Sequence, residues 1–445
     1  MKTESEYENK KSSLSRQLLT LRGKGSVALD KSTTNLFRRR KRQGVQWMRG
    51  EQLNDIISID KRNAIVEVEG MTTYEKLFDE TSVHGFMPAV VPQLQSITVG
   101  GAVSGGGIES SSFKEGLVHE SITEMDILLS DGNTVVCTRE NDYKDLFFGF
   151  PNSYGTLGYA LKLKAKLIPI KKYVKITHLR YDNPINFFHA LKEHCAHRTV
   201  DFSDGTLFSE EELYLTLGEF VDQAPAVSDY TYMEIYYKSI REKKIDYLTT
   251  YDYIWRWDTD WFWCSKHFLV QYPAVRFMMG KKRLRSATYT KLMKLNQQYP
   301  LFDLLSGLFG KRESVIQDVQ IPIDNCAKFL EFFQKEIRIN PIWMCPTHAH
   351  DRNTVFDLYN MNPDKLYVNF GFWDVIKTLH DGYHNRKVEK MVKRLCGLKS
   401  LYSSSYYSDE EFWELYNNNA YDRLKSKYDP VNVFPNLYGK CVLKN

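Results

Sequence analysis

The residues with the most chemical content lie between Val91 and Ser112. The run VPQLQSITVGGAVSGGGIESSS sets five glycines, Gly100, Gly101, Gly105, Gly106 and Gly107, ahead of Glu109 and the hydroxyls of Ser110, Ser111 and Ser112. Glycine has no Cβ, so such a stretch is expected to adopt positive φ and to let main chain come close to a ligand. Exposed backbone N–H groups in a loop of this kind make an anion-binding concavity whose natural occupant is a phosphate or pyrophosphate. Neither common nucleotide motif accounts for it. The spacing is not G-x-G-x-x-G at the start of a βαβ unit, and no G-x-x-x-x-G-K-[ST] occurs. Glu109 follows the glycines directly. In an apolar setting its pKa would rise into a range useful for an acid, or it would accept hydrogen bonds from the three serines. His348-Ala349-His350-Asp351 is a weak metal pattern, and no metal is expected.

The rest of the chain must position these groups. Its 445 residues can bury a sizeable core, and 42% apolar with 26% charged residues is ordinary for a globular enzyme. Sixty Lys and Arg against 55 Asp and Glu leave a net charge of +5, too small a bias to point to nucleic acid. Seven cysteines without a CxxC pair fit reduced thiols better than a disulfide framework. MKTESEYENKK has no apolar h-region, and no long uninterrupted apolar run follows it, so neither signal peptide nor spanning helix is expected.

From Val45 to Pro169 short apolar runs closed by Gly, Asp and Asn predict an α+β domain. Strands are expected at Ile56–Ile59, Ala64–Val68, Met125–Leu129 and Thr134–Cys137, with Ser130-Asp131-Gly132-Asn133 as a hairpin turn. Thr72–Val83 reads as a helix capped by Thr72, with Glu75 as its capping-box partner. Leu157–Ile170 alternates as a half-exposed strand. Beyond it, Val319–Pro322 and Tyr367–Phe370 read as strands with a helix at Asn325–Ile337 between them. The segment YDYIWRWDTDWFW is either core packing or the wall of a pocket for a flat apolar ligand. Arg38-Arg39-Arg40-Lys41-Arg42, Lys281-Lys282-Arg283 and Arg285 are solvated faces or contacts to phosphate or anionic lipid.

Three polar or glycine-containing loops follow one another: Lys31-Ser32-Thr33-Thr34-Asn35-Leu36-Phe37, the Val91–Ser112 run and Gly155-Thr156-Leu157-Gly158. In this order they resemble the PCMH-type FAD-binding domain of the vanillyl-alcohol oxidase superfamily. ITVGGAVSGGGIESSSFKEGLVHE, LLSDGNTVVCT, DLFFGFPNSYGTLGYALKLKAKLIP, VIQDVQIPID, NPIWMCP, LYVNFGFW, SLYSSSYYSDEEFW, and KYDP followed by FPNLYGKC are similar to the Δ24-sterol reductase (seladin-like) branch. The likeness spans Ile56 to Cys441. It implies a two-subdomain FAD-binding domain over 1–170, an α+β substrate or cap domain over 171–395, and a segment, 396–445, that returns to the flavin.

By the same resemblance Ser32, Thr33, Thr34 and Asn35 would contact the diphosphate. Thr98, Val99, Gly100, Gly101, Gly105, Gly106, Gly107, Ile108, Glu109 and Ser110 would line diphosphate and ring, with Gly116 and His119 nearby. Gly158 and Tyr159 would sit by the adenine, and Tyr402 against the flavin. Covalently flavinylated members use a His in the first loop or a Cys or His in the second. Leu21–Trp47 holds no His, so non-covalent FAD is expected, with His119 the one candidate against it. Flavins move hydride through N5, so a titratable group must handle the accompanying proton. Glu109, Tyr402 and His348 are the candidates, with His350 and Asp374 behind them. The implied reaction is reduction of an apolar, lipid- or sterol-like alkene with NADPH as donor. A flavin oxidase or dehydrogenase of an alcohol or sugar, and a non-catalytic flavin scaffold, remain open beside it. Polyprenyl-phosphoryl-ribose oxidases carry a His where Glu109 stands and a Lys where Ser405 stands, which argues against that activity. Animal members of the sterol branch begin with a membrane-anchoring apolar segment that has no counterpart here. A soluble, cytoplasmic protein, at most peripheral to a membrane, is therefore expected.

Overall fold

A computed structural model describes residues 4–31, 36–38, 44–298 (backbone alone from 294) and 311–443. Its strands form three sheets. A parallel pair joins β1 (Ser26–Asp30) to β2 (Val45–Arg49). The second sheet uses β3 (Ile56–Asp60), β4 (Ile65–Glu69), β5 (Phe86–Pro88), β6 (Ile122–Leu128), β7 (Thr134–Thr138) and β8 (Tyr159–Pro169). Its order is β3-β4-β8-β6-β7, with β5 paired to β8, and every pair is antiparallel. The third uses β9 (Tyr173–Tyr181), β10 (Phe202–Ser209), β11 (Glu212–Val221), β12 (Ile245–Thr249), β13 (Arg312–Pro322), β14 (Ile342–Thr347), β15 (Tyr367–Lys377) and β16 (Leu398–Lys399). It is antiparallel in the order β12-β9-β11-β10-β14-β15-β13-β16. Sheets with flanking helices in this arrangement are the expected α+β, two-subdomain class.

Local chemistry explains the elements. The hairpin between β6 and β7 closes on Gly132, at φ 88°, and on the Asp131 carboxylate, which accepts from Asn133 N at 2.9 Å. The helix expected from Thr72 runs Tyr74–Ser82 and is capped by Thr73, whose hydroxyl accepts from Lys76 N. Thr72 is buried and donates to Asp55 O instead. With the cap one residue later, Glu75 is too near to complete a capping box, and it pairs with Arg285 at 2.8 Å.

The third sheet works by its two-residue period. On one face Val319, Ile321, Met344, Val368, Phe370 and Phe372 pack against the helices Pro184–His197, Cys326–Glu336 and Tyr383–Arg394. The other face carries Asp318, Gln320, Trp343, Asn369 and Trp373 toward the second sheet. A helix absent from the sequence reading, Glu4–Leu21, seats Tyr7, Leu14 and Leu18 in a small core with Val27, Met48 and Leu161. Its Lys10 ammonium bonds Asp55 and Glu69 at 2.7–2.8 Å.

Candidate functional site

A cavity of about 330 Å³ lies between β1–β2, the second sheet and the polar face of the third. One part of its wall is the glycine-rich run. Val99–Gly105 is a short helix rather than an open loop, and Gly106, which ends it at φ 70°, is the one glycine of the five with positive φ. Gly100 has another purpose. A Cβ there would stand 2.9 Å from the carbonyl oxygen of Gly70, so the small residue lets this helix lie against the second sheet.

Lys31, Arg38 and Lys440 are the cations among the described lining residues, and Asp318 is the one carboxylate. Arg38 is buried. Its Nε donates to Leu401 O at 3.2 Å and its Nη1 to Lys440 O at 2.6 Å, while Nη2 is buried with no partner. Gln93 also lines the cavity, and its Oε1 is buried without a donor while its Nε2 bonds Glu109. Orphaned polar atoms on a cavity wall are costly unless a ligand satisfies them.

Another part of the wall is aromatic. The backbone turns sharply through Trp261 and Phe262, at φ 46° and 59°, and puts both rings in the wall. Trp261 stacks on Phe37 at 5.3 Å, and Phe262 on Trp373 at 4.4 Å. The YDYIWRWDTDWFW segment is thus pocket wall at these two residues and buried packing at Trp255, Trp257 and Trp263.

Among these rings sits a carboxyl that sequence reasoning missed. Asp318 accepts from Asn369 Nδ2 at 2.5 Å and interacts with the Tyr402 hydroxyl, which accepts from Trp373 Nε1 at 3.1 Å. Burial pushes Asp318 up to about 6, against the lowering pull of Asn369 and Tyr402. Burial and the facing Asp318 push Tyr402 far above the tyrosine range, so it stays a neutral phenol. A Cβ on Gly371 would lie 2.8 Å from Asp318 Oδ1 and 2.4 Å from the Trp373 ring, so this glycine makes room for both. The signal was in VIQDVQIPID and VNFGFW, where alternation puts Asp318 and Gln320, and Asn369 and Trp373, on common faces.

Of the expected site residues, Thr98, Gly100, Gly101, Gly105, Gly106, Gly107, Ile108, Gly158, Tyr159 and Tyr402 line the cavity. Ser32, Thr33, Thr34 and Asn35 lie outside the described residues, as do Arg39 to Arg42 of the basic run.

Six other expected residues stand behind the wall rather than in it. Val99 points into the core. Glu109 accepts from Ser110 Oγ at 2.5 Å and Gln93 Nε2 at 2.7 Å, and lies 3.6 Å from the buried Arg256 guanidinium. Burial raises its pKa while Arg256 opposes the rise. Arg256 also bonds Asp204 at 2.7 Å, so Glu109 belongs to a sealed charge cluster. Ser110 joins the same cluster, and its carbonyl accepts from Ser203 N at 2.8 Å. Gly116 lies against the Glu120 carboxylate. His119 packs edge-on to Phe356 at 4.3 Å, and burial lowers it to about 3. His348 bonds Ser112 O through its N–H, and its ring turns to Ala349 O. Of the further candidates, Asp374 pairs with Lys266 at 2.8 Å on the far face of β15. Asp351 caps the turn to Thr354. Among the described residues, no three His, Cys, Asp or Glu converge as metal ligands.

Cations and an orphaned guanidinium nitrogen on one part of the wall suit a diphosphate. Stacked rings with Gln93 and Asn369 suit a flat heteroaromatic system with its own donors and acceptors. These residues fit FAD. The FAD binding domain family matches residues 15–138. Delta(24)-sterol reductase of Homo sapiens is 30% identical over 407 residues, covering 87% of this chain and 76% of the human one. A Delta(24)-sterol reductase homolog of Caenorhabditis elegans is 28% identical, with 88% and 78% covered. Cytokinin dehydrogenase 7 of rice is 30% identical over 122 residues, 27% of this chain and 23% of its own length.

Proposed function

The chain belongs to the Delta(24)-sterol reductase family and is an FAD-dependent oxidoreductase, and from that premise we propose that it reduces an isolated carbon–carbon double bond in an apolar, sterol-like molecule, with NADPH as electron donor. The observation that carries this reading is the setting of Asp318, a cavity-lining carboxyl held neutral up to about pH 6 among aromatic rings and neutral donors.

FAD, when bound, supplies or accepts hydride at N5. An isolated alkene does not take hydride alone, because the second carbon must receive a proton as the first receives hydride. Asp318 is the proton-holding group in this reading. Asn369 fixes its carboxyl by one hydrogen bond, and Trp373 fixes the Tyr402 hydroxyl that faces it. The bond from Trp373 leaves that hydroxyl's own hydrogen free to reach Asp318 or the substrate. Donation requires the protonated acid, so turnover in the reductive direction falls as pH rises through about 6. Trp261, Phe262, Trp343 and Tyr359 exclude water and give an apolar substrate its contact surface. Arg38, Lys31 and Lys440 would hold the diphosphate. Among the described residues the lining holds no histidine and one cysteine, Cys264, which burial pushes up to about 12 and so keeps a thiol, in keeping with non-covalent attachment.

The test is anaerobic: NADPH should bleach the flavin spectrum of the purified protein, and a Δ24-unsaturated sterol should restore it with formation of the saturated product. Recovery by polyols and not by sterols would replace this reading with alcohol or sugar chemistry. A flavin that NADPH does not bleach and no substrate turns over would leave a scaffold.

A further inference from the structure

We infer that the face built by residues 269–283 docks this protein onto an anionic lipid bilayer, with Leu269, Tyr272, Phe277 and Met278 entering the headgroup region and Lys281, Lys282 and Arg283 meeting lipid phosphates. The inference deepens the reading above, since it rests on an apolar substrate.

Single exposed apolar residues are ordinary, whereas a contiguous set is not. Leu269 is 59% exposed, Tyr272 64%, Phe277 69% and Met278 80%. They fall within ten residues of one another on the turn and short helix Pro273–Met279. The helix is anchored, not loose. Arg276 is buried, and its guanidinium bonds both oxygens of Asp260, at 2.7 and 2.9 Å, and the carbonyl oxygens of Tyr232 and Glu234. A buried ion pair is a costly anchor, and here it fixes a helix whose neighbouring Phe277 and Met278 point into water. Among the described residues no helix is long and apolar enough to cross a membrane.

Charge selects the occupant. Directly after the apolar tip come Lys281, Lys282 and Arg283, all exposed. Lys281 reaches Asp229 only at 3.8 Å between two exposed side chains, and Lys282 and Arg283 have no ion pair among the described residues. Arg285, grouped with them on sequence, turns inward to Glu75 and Gln95 and leaves the face. Aromatic and aliphatic side chains beside exposed cations complement a headgroup layer of anionic lipid. The face also connects with the site. Phe37 and Trp261 line the cavity and stack at 5.3 Å; Trp261 stacks on Tyr289 at 6.3 Å; and Tyr289 stacks on Phe268 at 5.8 Å, next in sequence to Leu269. A continuous row of rings therefore joins the cavity wall to the docking face.

The experiment is co-sedimentation of the full flavin-loaded chain with phosphatidylcholine vesicles, with and without one-third phosphatidylserine. The wild type should pellet with the anionic vesicles and lose that binding at high salt. Phe277→Ser with Met278→Ser, and separately Lys282→Glu with Arg283→Glu, should each weaken partitioning roughly tenfold or more. None of the four residues lines the cavity, so flavin absorbance and circular dichroism should not change. Equal pelleting of wild type and both variants, or a wild type that ignores every vesicle, would overturn the proposal. So would a lipid-free wild type that self-associates through this face, seen as a smaller sedimentation coefficient in the apolar variant. Turnover of a detergent-dispersed sterol reports on the proposed reaction alone, so the two readings can fail separately.

Discussion

Two carboxyls with raised pKa values, the half-buried Asp318 and the fully buried Glu109, are set apart by their company. Glu109 is 1% exposed, shares Arg256 with Asp204, and receives hydrogen bonds from Ser110 and Gln93. Asp318 faces the cavity with Asn369, Tyr402 and the nearby rings, and among the described residues no cation pairs with it. Burial raises both, but only at Asp318 does no positive charge oppose it. A proton can be exchanged usefully where the charged and neutral forms are both reachable and a ligand can approach. Glu109 instead ties the loop after the glycine run to the third sheet, a joint reinforced by Cys345 Sγ on Glu109 O at 3.1 Å and by His348 N on Ser112 O.

The sharpest break of this contrast is Asp318→Asn. It should fold and keep its flavin absorbance while alkene reduction drops about 10²–10⁴-fold, the usual worth of a positioned acid. A variant with more than a tenth of wild-type turnover would return the proton to another group. Arg256→Met attacks the other side. Removing the guanidinium leaves Glu109 and Asp204 buried together without a counter-charge, so denaturant unfolding should show a loss of about 3–5 kcal/mol. An unchanged midpoint would mean that both carboxyls are already neutral in the folded chain.

Gly371→Ala sharpens the geometry. Its Cβ would collide with Asp318 and Trp373, and overpacking of this kind costs about 1–3 kcal/mol in stability with a fall of up to about 10²-fold in turnover from the misplaced carboxyl. Flavin titration should give wild-type affinity if the clash stays local.

Stability should carry the signature of Asp318 as well. Its ordinary value of 3.8 is raised to about 6, so the folded chain holds the proton more tightly than the unfolded chain. The resulting stabilisation is full below about pH 3.8 and disappears as pH rises through about 6. Between pH 5 and pH 8 the wild type should therefore lose about 1.4 kcal/mol relative to Asp318→Asn, measured as the change in their difference in unfolding free energy. A difference independent of pH would show that Asp318 titrates as a solvated carboxyl. The smallest effect belongs to Glu109→Gln, which should leave turnover within a few-fold of wild type. A loss as large as that at Asp318 would collapse the distinction between the two sites.

Much of the fold was legible because it depends on neighbours in sequence. The turn at Asp131-Gly132-Asn133 announces its hairpin, and the strand that became β8 shows in its Leu-Lys alternation. The helix Glu4–Leu21 was not legible, because three buried residues, Tyr7, Leu14 and Leu18, are too sparse an apolar stripe to stand out from their polar setting. The glycine run was found, but its backbone was not, since Gly100 answers to a carbonyl thirty residues earlier. The site divided along the same line. Tyr402 was reached through resemblance and lines the cavity, whereas choosing between Glu109 and Asp318 requires knowing that Asp318 pairs across the sheet with Gly371 and that Arg256 reaches Glu109. Those are long-range facts that spacing does not encode.

Trp47, Trp261, Trp343 and Trp373, half of the eight tryptophans of the chain, border the cavity. Indole emission overlaps flavin absorption, so energy transfer makes these four side chains a native optical gauge of occupancy. Loading with the dinucleotide should dim the intrinsic fluorescence, and an apolar guest displacing water from Trp261 and Trp373 should shift what remains to shorter wavelength, without any label.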